Sequence, residues 1–179
     1  MPAPFVCLLT GPPGVGKSTL AQHLAEATAK SARVNVDIIR HLIIGGSLPP
    51  FPETAASKNQ LMLAEQNTIA LTRNFINAGY TVFIDDVILE PQKIERFKKA
   101  LREVPIYIFL LICDLEDLKK RDAQRPLEEQ MGARSVELHQ VFSHLQTNLE
   151  FGWTVLNSSG QSIALTAQHI RNSLGEITD

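Results

Sequence analysis

Eight consecutive residues carry the strongest chemical signal in the chain. Gly11-Pro12-Pro13-Gly14-Val15-Gly16-Lys17-Ser18 follows the P-loop pattern of glycine, four residues, glycine, lysine, then serine or threonine. The glycines let successive backbone N–H groups turn inward around an anion. A helix that starts at Lys17 adds its positive N-terminal end to the same anion. Lys17 can reach β- and γ-phosphates, and the Ser18 hydroxyl can hold Mg²⁺. Thr19, next in the chain, is a further candidate nucleotide-binding residue. A buried apolar run precedes the loop at Phe5–Thr10, and a helical pattern follows it. The spacing therefore predicts ATP or GTP binding through Gly11–Thr19.

Other residues gain meaning from that loop. In an open α/β sheet, ligands bind outside the carboxyl ends of the strands. The second apolar run, Arg33–Val36, ends at Asp37, with Arg40 one turn later. Asp37 is the candidate general base for transfer to a hydroxyl, or a cap for the helix after it. Arg40 is a candidate grip for an anionic substrate group or the phosphates. His41, beside them, is a candidate lining residue of the acceptor pocket, as is Phe51 by stacking. The third run ends at Asp85-Asp86, where one aspartate is expected to serve Mg²⁺, directly or through water. Spacing alone does not separate the two. Asp85 is taken for the metal and Asp86 for the acceptor side. Between Lys119 and Arg134 lie Lys119, Lys120, Arg121, Arg125 and Arg134. This stretch reads as a lid over about 119–135, with Arg121 and Arg125, four apart on one helical face, neutralising the transferring phosphate.

Stepping outward, short apolar runs alternate with helical patterns, the mark of a parallel sheet with crossover helices. Strands are expected at Phe5–Thr10, Arg33–Val36, Tyr80–Ile84, Ile106–Cys113 and Trp153–Leu156, each followed by a helix. Ile106–Cys113 is apolar throughout and should be central. Thr54 to Ala78 reads as one long helix with Leu61, Ala64, Thr68, Leu71, Phe75 and Ala78 inward. Pro49, Pro50 and Pro52 keep the segment before it irregular. A single α/β domain over residues 1–179 accounts for all of this.

Composition narrows the partners. The formal charge of −2, from 17 basic and 19 acidic side chains, argues against a grip on long nucleic acid. Cys7 and Cys113 lie in apolar runs and read as buried free thiols, which favours a reducing cytoplasm. The longest strongly apolar run is about a third of a membrane span. A soluble, cytoplasmic protein is expected, as a monomer or homodimer acting on a small molecule. The histidines show no zinc spacing.

Taken together, these residues resemble the small P-loop kinases of the nucleoside-monophosphate-kinase-like superfamily. The branch most similar holds chloramphenicol phosphotransferase-like and gluconate-kinase-like proteins. The likeness rests on Val36-Asp37-Ile38-Ile39-Arg40, on Val82-Phe83-Ile84-Asp85-Asp86-Val87, and on Leu118 to Arg125 with Gln130-Met131-Gly132. Asn157-Ser158-Ser159-Gly160 resembles the loop that passes the adenine ring, which puts Ser158, with Arg121, on the nucleotide. The resemblance implies a three-layer fold with a five-stranded parallel sheet in the order 2-3-1-4-5 and helices on both faces. It implies ATP with Mg²⁺, a catalytic aspartate at Asp37, and an arginine-bearing lid. The expected activity is transfer of the γ-phosphate of MgATP to a hydroxyl of an unnamed acceptor. A nucleic-acid end kinase and a nucleotide-dependent switch are the alternatives.

Overall fold

A computed structural model describes residues 3–178, with side chains to residue 175. Five parallel strands run β1 Val6–Thr10, β2 Ser31–Asn35, β3 Thr81–Asp85, β4 Ile106–Ile112 and β5 Thr154–Asn157. Their spatial order is β2-β3-β1-β4-β5, the order the resemblance implies. β1 is buried at every residue because it has a neighbour on each side and helices above and below. Such a strand reads as unbroken apolar sequence rather than as alternation.

The period-two geometry of β1 divides the core. Val6 and Leu8 point to one face, where they meet Ala64 of α3 (Ala55–Asn77), Ile94 and Phe97 of α4 (Pro91–Ala100), and Phe151. Cys7 and Leu9 point to the other, against Leu20 and Leu24 of α1 (Lys17–Glu26) and Ile170 and Leu174 of α7 (Ile163–Thr178). The remaining helices are α2 (Val36–Arg40), α5 (Leu115–Ala123) and α6 (Ala133–Leu145). Both cysteines are buried free thiols, and burial pushes each thiol above its ordinary range. Among the described residues no helix is long and apolar enough to cross a membrane.

Two elements depart from the sequence expectation. β2 ends at Asn35, not at Val36, because the Asn35 side chain caps α2 by accepting the Ile38 N–H at 2.8 Å. Asp37 thus sits in the first turn of a helix. In α3 the inward stripe runs Ala64, Thr68 and Thr72, with Glu65 beside it, while Leu71 and Ala78 are exposed. The i, i+4 row leaves Leu71 on the wet side, and Glu65 tolerates burial because Arg96 of α4 grips it with two bonds, at 2.6 and 2.9 Å.

The first glycine of the loop is fixed by space as well as by backbone angle. Gly11 has φ +142°, and a Cβ there would lie 2.3 Å from the Leu111 carbonyl oxygen of β4. Gly11→Ala should therefore lower unfolding stability by about 2 kcal/mol or more. Urea denaturation would read this as a reduced midpoint.

Candidate functional site

The loop between β1 and α1 is the centre of the site. Gly16 is the residue before α1, with φ 102°, and it offers no side chain to cap the helix. The first N–H groups of α1 are thereby left for an external acceptor. Lys17 folds back over the loop, and its Nζ donates to the carbonyl oxygens of Gly11 and Pro12 at 2.9 and 3.0 Å. Burial pulls the Lys17 ammonium down to about 8. Asp37, Asp85 and Asp86 pull it up again, and Arg125 lowers it further. These groups therefore stand within electrostatic reach of one ammonium. The uncapped helix start, the buried lysine and the Ser18 hydroxyl beside a carboxylate fit a Mg-bound polyphosphate.

Asp85 ends β3 and is only 3% exposed. Its carboxylate accepts from four donors. Ser18 Oγ and Asn35 Nδ2 each donate to Oδ2 at 2.6 Å, Arg33 Nε donates to Oδ1 at 3.0 Å, and Arg33 Nη2 reaches Oδ2 at 3.4 Å. Asp86 turns the other way, into an ion pair with Lys93 of α4 at 2.6 Å, and accepts the Val87 N–H at 2.7 Å. Burial raises its carboxyl above the usual range, opposed by Lys93. The structure thus distinguishes the two neighbours: Asp85 touches the loop serine, and Asp86 faces α4.

Asp37 is the exposed member of the set, with a side chain 73% accessible. Arg40 approaches it to 3.7 Å and is joined to the His41 ring nitrogen at 2.8 Å. Phe51 lies under the Arg134 guanidinium, 3.9 Å from ring centre to carbon. That contact ties the proline-rich segment to the start of α6. Arg134 also pairs with Glu137. The proline-rich segment is pinned to α3 as well. Gln60 Oε1 accepts the Leu48 N–H at 3.0 Å, and its Nε2 donates to the Gly46 carbonyl at 2.8 Å.

The structure separates Arg121 from Arg125. Helix α5 ends at Ala123, so the two do not share one helical face. Arg121 Nη1 donates to the Val15 carbonyl at 2.9 Å and to Ser158 Oγ at 3.0 Å, while Nη2 donates to the Ser158 carbonyl at 2.8 Å. It therefore braces the phosphate loop against the loop after β5. Arg125 pairs with Asp122 and Glu129 at 3.6 Å each. Asp122 is buried and accepts the Met131 and Gly132 N–H groups, at 3.1 and 2.8 Å, which closes residues 123–132 into a compact turn.

Sequence reasoning missed Asn35, Arg33, Lys93 and Asp122. Asn35 was recoverable, since an asparagine just before a short helical pattern is a cap signal. Asp122 was hidden inside a charged run, and the roles of Arg33 and Lys93 depend on strand pairing that local spacing does not reveal.

The parallel sheet, its strand order and the loop at β1 define the fold of the P-loop kinases. More particularly, the chain belongs to the AAA domain family, whose profile matches residues 6–147. The tunicamycin resistance protein of Deinococcus radiodurans is similar in structure, with 19% identity, a TM-score of 0.69 and 96% of each chain covered. A gluconokinase from Sinorhizobium meliloti 1021 shares 13% identity with a TM-score of 0.67, over 99% of this chain and 95% of that one. The APS kinase of Mycobacterium tuberculosis, solved with AMPPNP and APS, shares 15% identity with a TM-score of 0.63, over 98% and 99%. At these identities the likeness is one of fold. No curated protein matches the chain.

Two outcomes follow from this geometry. Between about pH 8 and pH 10.5 the folded protein has released a Lys17 proton that the unfolded chain retains, so this group makes stability rise with pH across that window. A bound polyphosphate restores the charge, so nucleotide binding at pH 8.5 should take up protons, and Lys17→Met should abolish the uptake. Calorimetry in buffers of different ionisation enthalpy measures it. Separately, Asp122→Ala should free the Met131 and Gly132 amides and speed proteolytic cleavage within residues 124–132 several-fold, with little change at α1.

Proposed function

We propose that this protein transfers the γ-phosphate of MgATP to a hydroxyl of a small-molecule acceptor. The observation that carries this reading is the geometry of the loop itself: the buried Lys17 Nζ lies over the Gly11 and Pro12 carbonyls at 2.9 and 3.0 Å, and the neighbouring Ser18 hydroxyl donates to the Asp85 carboxylate at 2.6 Å. The kinases among the structural neighbours support it, including the gluconokinase and the APS kinase solved with a nucleotide analogue.

In this reading Gly11–Thr19 wrap the phosphates with backbone N–H groups, and Lys17 leaves its two carbonyl partners for the phosphate oxygens. Ser18 and Asp85 hold Mg²⁺, which when bound neutralises phosphate charge. Arg121 and Ser158 line the nucleotide side. Asp37 accepts the proton as the acceptor O–H bond breaks, a new O–P bond forms and ADP leaves. Arg40, His41, Phe51 and Asp86 border the acceptor, with Arg40 and Lys93 holding the two carboxylates in place. Arg125 balances charge developing on the transferred group, and residues 119–135 exclude water as a lid. The whole chain acts as one cytoplasmic kinase domain, monomeric or homodimeric. Ile38, Leu42 and Ile44, exposed on and after α2, give the acceptor side an apolar rim rather than a basic groove. That favours a small acceptor over a nucleic-acid end.

The test is ADP release from MgATP against sugars, sugar acids, nucleosides, nucleotides and hydroxylated antibiotics. Acceptor-dependent turnover should fall about 100-fold or more in Lys17→Ala and about 100-fold in Asp37→Asn, with nucleotide binding retained in the latter. A parent protein that binds no MgATP would overturn the proposal.

A further inference from the structure

The Asn35 side chain is a single rigid plane with two engagements. On one side its Nδ2 donates to Asp85 Oδ2 at 2.6 Å, the same oxygen that accepts Ser18 Oγ, and lies 3.4 Å from Ser18 Oγ itself. On the other side its Oδ1 accepts the Ile38 N–H at 2.8 Å and so starts the helix that carries Asp37. The amide can satisfy both only in this orientation, because one end is a donor and the other an acceptor. Arg33, two residues earlier on β2, holds the opposite edge of the same carboxylate. Between them they leave Asp85 little freedom to rotate.

From this juxtaposition we infer that Asn35 is a positioning residue that couples Asp85 and Ser18 to the orientation of α2, and through α2 to Asp37. The inference rests on the proposed kinase reading for its functional meaning, but the coupling itself is a property of the free protein. Five residues make α2 too short to persist by propensity, so its first turn depends on the cap. A change at Asp85 therefore reaches Ile38 through one amide. Asn35 acts through its neighbours: it fixes the carboxylate that orients the loop serine and the turn that aims the base.

The decisive measurement is water exchange of the Ile38 amide by NMR in the unliganded protein. Asp85→Ala should accelerate it at least threefold, and Asn35→Ala should accelerate it as much or more. In the double variant, Asp85→Ala should add nothing beyond Asn35→Ala. Asn35→Ser keeps a capping oxygen but is too short to reach Asp85. It should retain Ile38 protection while raising the Mg²⁺ midpoint for ATP binding several-fold, a shift that a purely capping role would not produce. Unchanged Ile38 exchange in Asp85→Ala, or an unchanged Mg²⁺ midpoint in Asn35→Ser, would overturn the inference. Parent protein that binds no MgATP would sink the kinase reading, while the exchange data would still decide whether the coupling exists.

Discussion

A positive charge held away from water governs this site. Burying an ammonium is unfavourable unless it is paired, and Lys17 is satisfied in the free protein by two loop carbonyls and by three carboxylates at a distance. Those carboxylates come from β3 and α2, and their placement depends on β3 standing next to β1 and β2 next to β3. The strand order therefore serves electrostatics as well as packing: with β3 beside β1, the Asp85 carboxylate stands next to the loop and accepts from Ser18.

The carboxylates themselves need partners, and the second layer of charge follows from that need. Arg33 answers Asp85, Lys93 answers Asp86, and Arg40 answers Asp37. Arg33 on β2 and Lys93 on α4 reach Asp85 and Asp86 from different elements and so tie β2 and α4 to the end of β3, while Arg40 and Asp37 pair within α2. The apolar clusters on the two faces supply the bulk of the stability, but they are indifferent to the precise height of each strand end. The Arg33–Asp85 and Lys93–Asp86 pairs add directional ties at that end of the sheet.

Much of this was legible in the chain because it is written in short-range pattern. The loop, the unbroken apolar β1 and β4, the stop at Asp85-Asp86 and the crossover helices all follow from period and composition. What escaped depends on tertiary register. Nothing local distinguishes Asp85 from Asp86, yet the twofold alternation of β3 turns one to Ser18 and the next to Lys93. Arg121 and Arg125 look equivalent at a spacing of four, but the helix ends between them. In α3 Ala64 and Thr68 face inward as their spacing implies, but Thr72 rather than Leu71 continues the buried i, i+4 row.

Arg121 draws a mechanical boundary through the molecule. Its three bonds to Val15 and Ser158 fasten the end of α5 to the loops after β1 and β5, whereas Arg125, four residues on, pairs with Asp122 and Glu129 of its own turn. Loss of the Arg121 guanidinium would therefore be felt at two loops far apart in sequence, whereas loss of Arg125 would be felt within a single turn.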